Sequence, residues 1–356
     1  MRRPLVVSVV LICVVAAGCG ASASPLPSLP SAAVSDVPAG PSAVPGGASA
    51  APVGPSAAVG GQSAAPSAAS WTTVAATAPV ELLEIAVAER GGRIWVAGGL
   101  RTDGSASDEV FVFDPVAGTW TNGPKLPEAV HHASMVSTPD GLVLVGGYVG
   151  DALSVATAAV RRLDDGATAW ADDLPLPDAR AAGAAAFDGA RIVYAGGVKP
   201  GGIANEVFGR TGGGAWDVIG RLPVAREHLA ATSDGAGRTF VLGGRVGGLD
   251  RNLAVVDLVE GTSTTTIGEL PTKRGGVAAF WWPTLGACLA GGESPGGSNP
   301  QVECVTADGT LSRLPDLGVA RHGLGAAVVD GDAYILLGGR VPGLSTTDLT
   351  ESLTLP

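Results

Sequence analysis

The sequence predicts an all-β fold built from six repeated units. Its main support is a short apolar run closed by a glycine pair, which occurs six times at intervals of 47 to 50 residues. A fixed period of this length is typical of repeat architectures, in which one unit cannot bury its apolar face alone. The composition agrees, because 4% aromatic residues and 54 glycines favour a core of small residues and short strands over helices.

The six runs suit strands that are covered on both faces, since each is apolar without interruption. The glycines mark points where the backbone takes a positive φ or approaches a neighbour closely. The pairs that close the runs are Gly98-Gly99, Gly146-Gly147, Gly196-Gly197, Gly243-Gly244, Gly291-Gly292 and Gly338-Gly339.

Each repeat shows the same order of features. A Leu-Pro turn such as Leu126-Pro127 precedes a strand of small residues, and the glycine-pair strand, a loop and a third strand follow. A fourth strand carries a tryptophan, as at Trp120, Trp170 and Trp216. Four short strands per unit, separated by Gly, Pro and Asp turns, are typical of one blade of a β-propeller.

The ends of this region fit circular closure. Only one strand follows the last glycine pair, and residues 70–74 look like a fourth strand without a blade of its own. We expect six blades closed by this N-terminal strand, because the pairing removes two open sheet edges.

Residues 71–356 resemble the kelch repeat. The glycine pair, the Leu-Pro turn, the arginine three residues after that proline and the fourth-strand tryptophan carry the resemblance. The third-strand tyrosine of kelch blades is absent, and Thr264 and Leu311 stand at tryptophan positions. Gly318 replaces the proline of the last arginine-bearing turn. The resemblance implies a six-bladed kelch-type propeller.

The N-terminal residues predict that the protein is exported from the cytoplasm. Residues 1–18 have the basic start and short apolar segment of a signal peptide. The residues before Cys19 resemble the lipobox of bacterial lipoproteins, so Cys19 is the expected lipid-bearing residue; the alternative is an ordinary secretory signal. Residues 19–69, rich in Ala, Ser, Pro and Gly, read as a disordered tether. Residues 70–356 are expected to form the propeller, anchored to the cell membrane through lipid alone.

Charge and position together predict the ligand class. The formal net charge of −11 makes nucleic acid a poor partner. Basic residues nevertheless occur at the turn into the first strand of most repeats, around one mouth of the expected channel. These candidate ligand-binding residues are His131, His132, Arg180, Arg226, His228, Arg274, Arg321 and His322. They suit an acidic small molecule or an acidic protein partner, bound to a monomer.

Two readings of this ring stay open. Each arginine could instead serve the fold by binding loop carbonyls or an acidic neighbour. A metal is not expected, because histidines on three different blades could converge only at the axis, and no cofactor is expected. His131 and His132 should point to opposite sides of a strand.

Three classes of function follow. The first is a tethered binding module, the usual role of kelch propellers. The second is a sugar-modifying enzyme, since some six-bladed kelch proteins are sialic acid mutarotases; Glu84 or Glu227 close to a histidine would favour it. The third is an envelope assembly protein. Copper-radical oxidases also carry kelch blades, but the tyrosines lack a cysteine at suitable spacing for their crosslink.

Cys288 and Cys304 are expected to form a disulfide. They lie on the second and third strands of the fifth repeat, which should run antiparallel. Folding this hairpin about Gly296 places the two cysteines opposite each other, within the reach of a disulfide. Two buried free thiols are the alternative, because a one-residue register slip would turn them to opposite faces.

Overall fold

The computed structural model describes residues 69–151 and 155–354. These residues form six four-stranded antiparallel sheets, one short three-stranded sheet and two two-stranded pairs. Within the described ranges the one helix is a single 3-10 turn, Leu249–Arg251. The all-β prediction is therefore confirmed.

Five of the six sheets are formed by four strands consecutive in sequence, apart from short loop strands. Numbered along the chain, the sheets are sheet 1 (Ala86–Arg90, Arg93–Ala97, Val110–Asp114, Thr119–Asn122), sheet 2 (Ser134–Thr138, Gly141–Val145, Val160–Asp164, Ala171–Asp173), sheet 3 (Ala184–Phe187, Arg191–Ala195, Glu206–Thr211, Asp217–Arg221), sheet 4 (Ala230–Ser233, Arg238–Leu242, Val255–Glu260, Ser263–Glu269), sheet 5 (Ala278–Trp282, Gly286–Ala290, Val302–Val305, Leu311–Leu314) and sheet 6 (Gly325–Val329, Asp332–Leu336, Thr350–Thr354 and Thr72–Thr73).

Small additional strands lie in the loops. They are Val130–His131, Tyr148–Val149 and Val155–Ala156 in one group, Val198–Lys199 with Gly202–Ile203, and Glu293–Ser294 with Gly297–Ser298.

The sheets follow one another side by side. The first strand of each sheet lies against the first strand of the next, and that of sheet 6 lies against that of sheet 1. Apolar clusters fill the spaces between neighbours, including the space between sheets 6 and 1. The small residues expected on the first strands are observed, and they allow six strands to approach one another.

Sheet 6 takes its fourth strand from the beginning of the described chain. Thr72 and Thr73 pair with Ser352 and Glu351. Just before them, the indole N–H of Trp71 donates to the carbonyl of Pro315 over 2.9 Å. Trp170 makes the same contact between sheets 2 and 1, with the carbonyl of Pro124.

The predicted disulfide is present. Cys288 and Cys304 lie directly opposite each other in sheet 5 and are bonded through sulfur. Both side chains are fully buried. The alternative of two free thiols is therefore wrong.

One repeat is offset from its expected register. In the first five repeats the first glycine of the pair has a φ near 60°, as Gly98 does. In the sixth repeat Leu337 takes this conformation, with φ 52°, and its N–H donates to Leu349 as the first glycines donate in their own repeats. The structural pair is thus Leu337-Gly338 rather than Gly338-Gly339.

The predicted signal peptide, Cys19 and most of the expected tether lie outside the described residues. Among the residues that the structure does describe, no helix has the length and apolar character needed to cross a membrane.

Candidate functional site

Six backbone hydrogen bonds form a closed cycle just before the first strands of the six sheets. Each residue of the cycle donates its N–H to the carbonyl of its counterpart before the preceding sheet, over 2.6 to 3.0 Å. The last bond, from Glu84 to Gly323, returns to the start. We call this set the axial ring; its members are Glu84, His132, Ala182, His228, Gly276 and Gly323.

All six residues of the axial ring have a positive φ, between 52° and 65°. Four of them are not glycine, although side-chain sterics disfavour this conformation. Strained backbone of this kind persists where the surrounding structure enforces it, and it is common at functional sites. Ala182, Gly276 and Gly323 contribute little or no side chain, so the ring has room for three large ones.

Gly323 shows how closely this space is filled. A Cβ at this position would lie 2.8 Å from Oε1 of Glu84 and 3.0 Å from its backbone nitrogen. A Cβ atom essentially never approaches a neighbour to 2.8 Å, so the carboxyl of Glu84 occupies space that glycine leaves open.

The three large side chains of the axial ring converge. Nε2 of His132 lies 3.1 Å from Nε2 of His228 and 3.4 Å from Oε2 of Glu84. On the other side of its ring, Nδ1 of His132 lies 2.6 Å from Nδ1 of His131. Nδ1 of His228 contacts Oε2 of Glu227. The sequence placed the three histidines around one mouth and named Glu84 and Glu227 as possible neighbours of a histidine, but it could not show that these side chains touch.

The contact between His131 and His132 corrects the expectation that they point to opposite sides. Alternation of side chains holds for extended strands, but φ at His132 is 54° and breaks the alternation. Of the two histidines, only His132 lines the cavity of about 130 Å³ that lies beside the axial ring.

A second layer of charged residues surrounds this group. Arg245 donates to Glu227 over 3.0 Å and to Glu293 over 2.6 Å. His322 lies 3.6 Å from the second carboxylate oxygen of Glu293, and its ring nitrogens lie within hydrogen-bond distance of two loop carbonyls. Tyr148 packs against the rings of His131 and His132.

Arg245, Glu293 and Tyr148 were not identified from the sequence as residues of the site. Each directly follows a glycine pair and pairs with the residue that precedes the axial ring, as Arg245 pairs with Glu227. The position after the glycine pair recurs with the repeat, so the same period contained the signal that could have found them.

Burial controls the protonation of the central group. It raises the pKa of Glu84 to about 7, against the opposing effects of His322 and Arg245. Burial also lowers the pKa of His132 to about 3, with further contributions from Arg245 and His322. The pKa of His228 is likewise well below its usual value, first because of burial and then because of His132. Near neutral pH the arrangement therefore offers neutral imidazoles beside a carboxyl group that can gain or lose a proton.

The four ring arginines lie elsewhere. Their side chains are fully buried, and each reaches a carboxylate on the third strand of its own sheet. The pairs are Arg180 with Glu206, Arg226 with Asp257, Arg274 with Glu303 and Arg321 with Glu351, at 2.7 to 2.9 Å. Three of the arginines also donate to a carbonyl at the end of the second strand. They join strands of one sheet, which is the structural role that the sequence left open as an alternative. The candidate ligand site therefore does not include them.

A cavity of about 130 Å³ lies beside the axial ring, lined by its members and by the beginnings of the first strands of the six sheets, which we call the inner strands. A space of this size holds a few water molecules or an ion. A wider cavity of about 350 Å³ lies at the other end of the same strands, where Glu89, Phe187 and Trp281 are among the lining residues.

Comparisons with known proteins agree with this architecture. A model of the Kelch motif matches residues 84–127, which begin at the axial ring and include sheet 1. Kelch-like protein terF of Aspergillus terreus is 28% identical over 305 residues, covering 77% of this chain. The chain spans 64% of the length of that fungal relative. The structure of YjhT is similar with a TM-score of 0.65 at 13% identity, over 78% of this chain and 96% of YjhT. Together, the motif and these two likenesses support a kelch-repeat β-propeller.

Proposed function

We propose that this chain is a binding module, tethered outside the cytoplasm by a lipid on Cys19, that captures an acidic small molecule or protein partner at the axial mouth. The kelch-repeat fold is consistent with such a role. The observation that carries the proposal is the convergence of Glu84, His132 and His228 beneath the charged layer of Arg245 and His322.

Arg245 takes the place that the buried arginines were expected to hold. Two of its nitrogens bind Glu227 and Glu293, and Nη2 makes no hydrogen bond to the described part of the chain. This nitrogen can donate to a carboxylate of the ligand, a bond strengthened by charge. Glu84 has a raised pKa and in its protonated form can donate as well.

The ligand proposal is tested by calorimetric titration with acidic monosaccharides and their neutral counterparts. We expect the acidic sugars to bind and Arg245→Ala to weaken their binding about 10- to 100-fold, as the loss of a charged hydrogen bond does. Arg251→Ala is the matched control, since Arg251 is exposed on the same loop. Equal binding of neutral sugars, or equal loss in both variants, would contradict the proposal.

The location is tested separately. Replacing the expected lipid-bearing residue, Cys19→Ala, should move the protein from the membrane fraction to the soluble extracytoplasmic fraction. A variant that stays in the membrane fraction would rule out the lipid anchor.

A second candidate is a sugar-modifying enzyme resembling the sialic acid mutarotases. The distance of 3.4 Å between Glu84 and His132 favours it, because a carboxyl group with a pKa of about 7 beside a neutral imidazole suits proton transfer. Interconversion of the anomers of an acidic sugar, followed by NMR, should then be faster with the protein than without it. Glu84→Gln should abolish the acceleration, whereas Glu128→Gln, at an exposed position, should retain it.

The circular architecture is also part of the proposal. We propose that the six sheets are six blades of a ring closed by Thr72–Thr73. The closed cycle of backbone hydrogen bonds, the contact between the inner strands of sheets 6 and 1, and the pairing of Thr72 with Ser352 support it.

A further inference from the structure

The convergent side chains of the axial ring have the composition of a metal site. Glu84, His132 and His228 each direct one potential ligand atom to a common place, with these atoms within 4.8 Å of one another. Two imidazoles and one carboxylate form a donor set that proteins use for zinc and for ferrous iron.

The distances agree with the edges of a coordination polyhedron. Two atoms bound about 2.1 Å from one cation lie about 3.0 Å apart at an octahedral angle and about 3.4 Å apart at a tetrahedral one. The two Nε2 atoms are 3.1 Å apart, and Oε2 of Glu84 is 3.4 Å from Nε2 of His132. These two distances fit a cation without change, whereas the three ligand atoms as a set span up to 4.8 Å. The widest pair must close to about 4.2 Å or less when all three atoms bind one cation.

The outer nitrogens of both histidines lie against groups that can accept a proton, as those of metal-bound histidines usually do. Nδ1 of His228 contacts the carboxylate of Glu227, which we assign as the acceptor of its proton. Nδ1 of His132 lies 2.6 Å from Nδ1 of His131, which can accept a proton from it. In this arrangement both Nε2 lone pairs face the same point, so either a bridging proton or a cation must separate them. Such outer partners orient metal ligands and increase their basicity.

The charge of the surroundings also matches a divalent cation. Glu84, Glu227 and Glu293 are mostly buried, and Arg245 lies between the latter two. With Glu84 ionised, as it must be when it binds a cation, three carboxylates and one guanidinium carry a formal charge of −2. In addition, one carboxylate oxygen of Glu293 is buried without a hydrogen-bond partner. A buried charge of this size is costly unless it is compensated.

We propose that Glu84, His132 and His228 bind one divalent transition-metal cation, with Zn²⁺ as the best match. The two imidazoles argue against Ca²⁺ and Mg²⁺, which prefer oxygen ligands. Binding displaces any proton on Nε2 of His132 or on Glu84 to solvent. The adjoining cavity leaves one side of the cation open to water or to a ligand. The metal site stands without the acidic ligand proposed above, although the cation would supply positive charge for it.

The test is calorimetric titration of the chelator-treated full chain with Zn²⁺, combined with visible absorption of the Co²⁺ form. We expect one cation per chain and the absorption bands of four- or five-coordinate cobalt. Glu84→Gln, His132→Ala and His228→Ala should each weaken binding by at least about 100-fold, since even outer-partner losses cost 10- to 100-fold. Glu84→Gln keeps the size of the side chain, and circular dichroism verifies that each variant is folded.

Glu128→Gln is the matched control for Glu84→Gln, because Glu128 is exposed and lies outside the ligand set. It should bind Zn²⁺ within about threefold of the unchanged protein. Zn²⁺ should also raise the unfolding temperature of the unchanged protein, because it binds the folded state. Absence of binding to the unchanged protein, or an equal loss in the control and the ligand variants, would overturn the proposal.

Discussion

Arg226 and Asp257 show what the ring arginines do. Both side chains are fully excluded from solvent, and they are 2.7 Å apart. Asp257 also accepts a hydrogen bond from Thr266, and Arg226 donates to the carbonyl of Val241. The pair therefore joins three strands of sheet 4. Its charges are compensated by each other, by these bonds and by a further hydrogen bond from Arg226 to the carbonyl of Val224.

Arg226→Met should lower the free energy of unfolding by about 3 to 5 kcal/mol, because Asp257 would remain as an uncompensated buried charge. Adding Asp257→Leu should restore most of the loss, since an apolar pair needs no compensation. Arg251→Met, at an exposed position, should change stability by less than about 0.5 kcal/mol. Urea denaturation measures all three. A small effect of the single substitution, together with weaker ligand binding, would return Arg226 to the ligand site.

Glu206 predicts a pH dependence. Partial burial alone would raise its pKa, but hydrogen bonds from its own backbone, Lys199 and Arg221 lower the pKa to about 2. A carboxylate whose pKa is lowered on folding stabilises the protein above its unfolded pKa of about 4.5, and this contribution is lost as the pH falls toward 2. The stability difference between the unchanged protein and Glu206→Gln should thus be largest above about pH 4.5 and shrink on acidification. Urea denaturation over a pH series measures it, and a constant difference would contradict the expected pKa.

The arginines show how far residue patterns lead. The recurring turn predicted their positions, and a structural role was one of the two interpretations that the sequence allowed. Their partners follow at offsets of 26 to 31 residues, on a different strand. The pairing is thus visible in the sequence only once the order of strands within a repeat is known.

At the scale of single elements, the backbone conformation of the residue before each inner strand determines which side chains meet at the site. His132 and His228 converge because both take the left-handed conformation at equivalent points of their repeats. A sequence does not reveal such a backbone conformation at histidine, since the residue usually avoids it. By contrast, the disulfide between Cys288 and Cys304 was predictable, because hairpin register fixes which residues face each other.

Gly323→Ala should destabilise the protein more than a glycine replacement in an open turn. The added Cβ would meet Glu84 at 2.8 Å, and φ is 57°. Gly331→Ala is the matched control: its φ is 87°, but no atom lies within 4 Å of the new Cβ. Strain alone costs about 1 to 3 kcal/mol, so Gly331→Ala should lose about that amount and Gly323→Ala clearly more. Thermal unfolding compares the two variants. Equal losses of stability would show that the side chain of Glu84 moves away from the added Cβ without destabilising the protein.

At the scale of the whole molecule, the repeat period predicted the number of four-stranded sheets and the use of an N-terminal strand in the last one. It could not predict the axial ring, because the cycle of backbone hydrogen bonds depends on the relative positions of all six sheets. The overall acidity of the chain also gave no guide to the local arrangement of Glu84, Glu227, Arg245 and Glu293, since net charge averages over the whole surface.

Trp71 provides the test of circular closure. Its side chain is buried between sheets 5 and 6 with Leu314, Leu317 and Leu353, and its indole N–H binds Pro315. Trp71→Ala should lower the free energy of unfolding by about 3 to 5 kcal/mol through the lost packing. It should also promote self-association, because the exposed edge of Thr350–Thr354 can pair with another chain.

Deletion of residues 21–68 is the control, since the sequence predicts a tether that buries little apolar surface. It should leave the unfolding temperature nearly unchanged. Calorimetry measures stability, and size-exclusion chromatography measures self-association. If Trp71→Ala unfolds at the same temperature as the unchanged protein, the N-terminal strand does not hold the ring closed. If instead the deletion has no effect and only Trp71→Ala loses stability and associates, closure depends on Trp71 and on the pairing of Thr72 and Thr73 with the last strand of sheet 6.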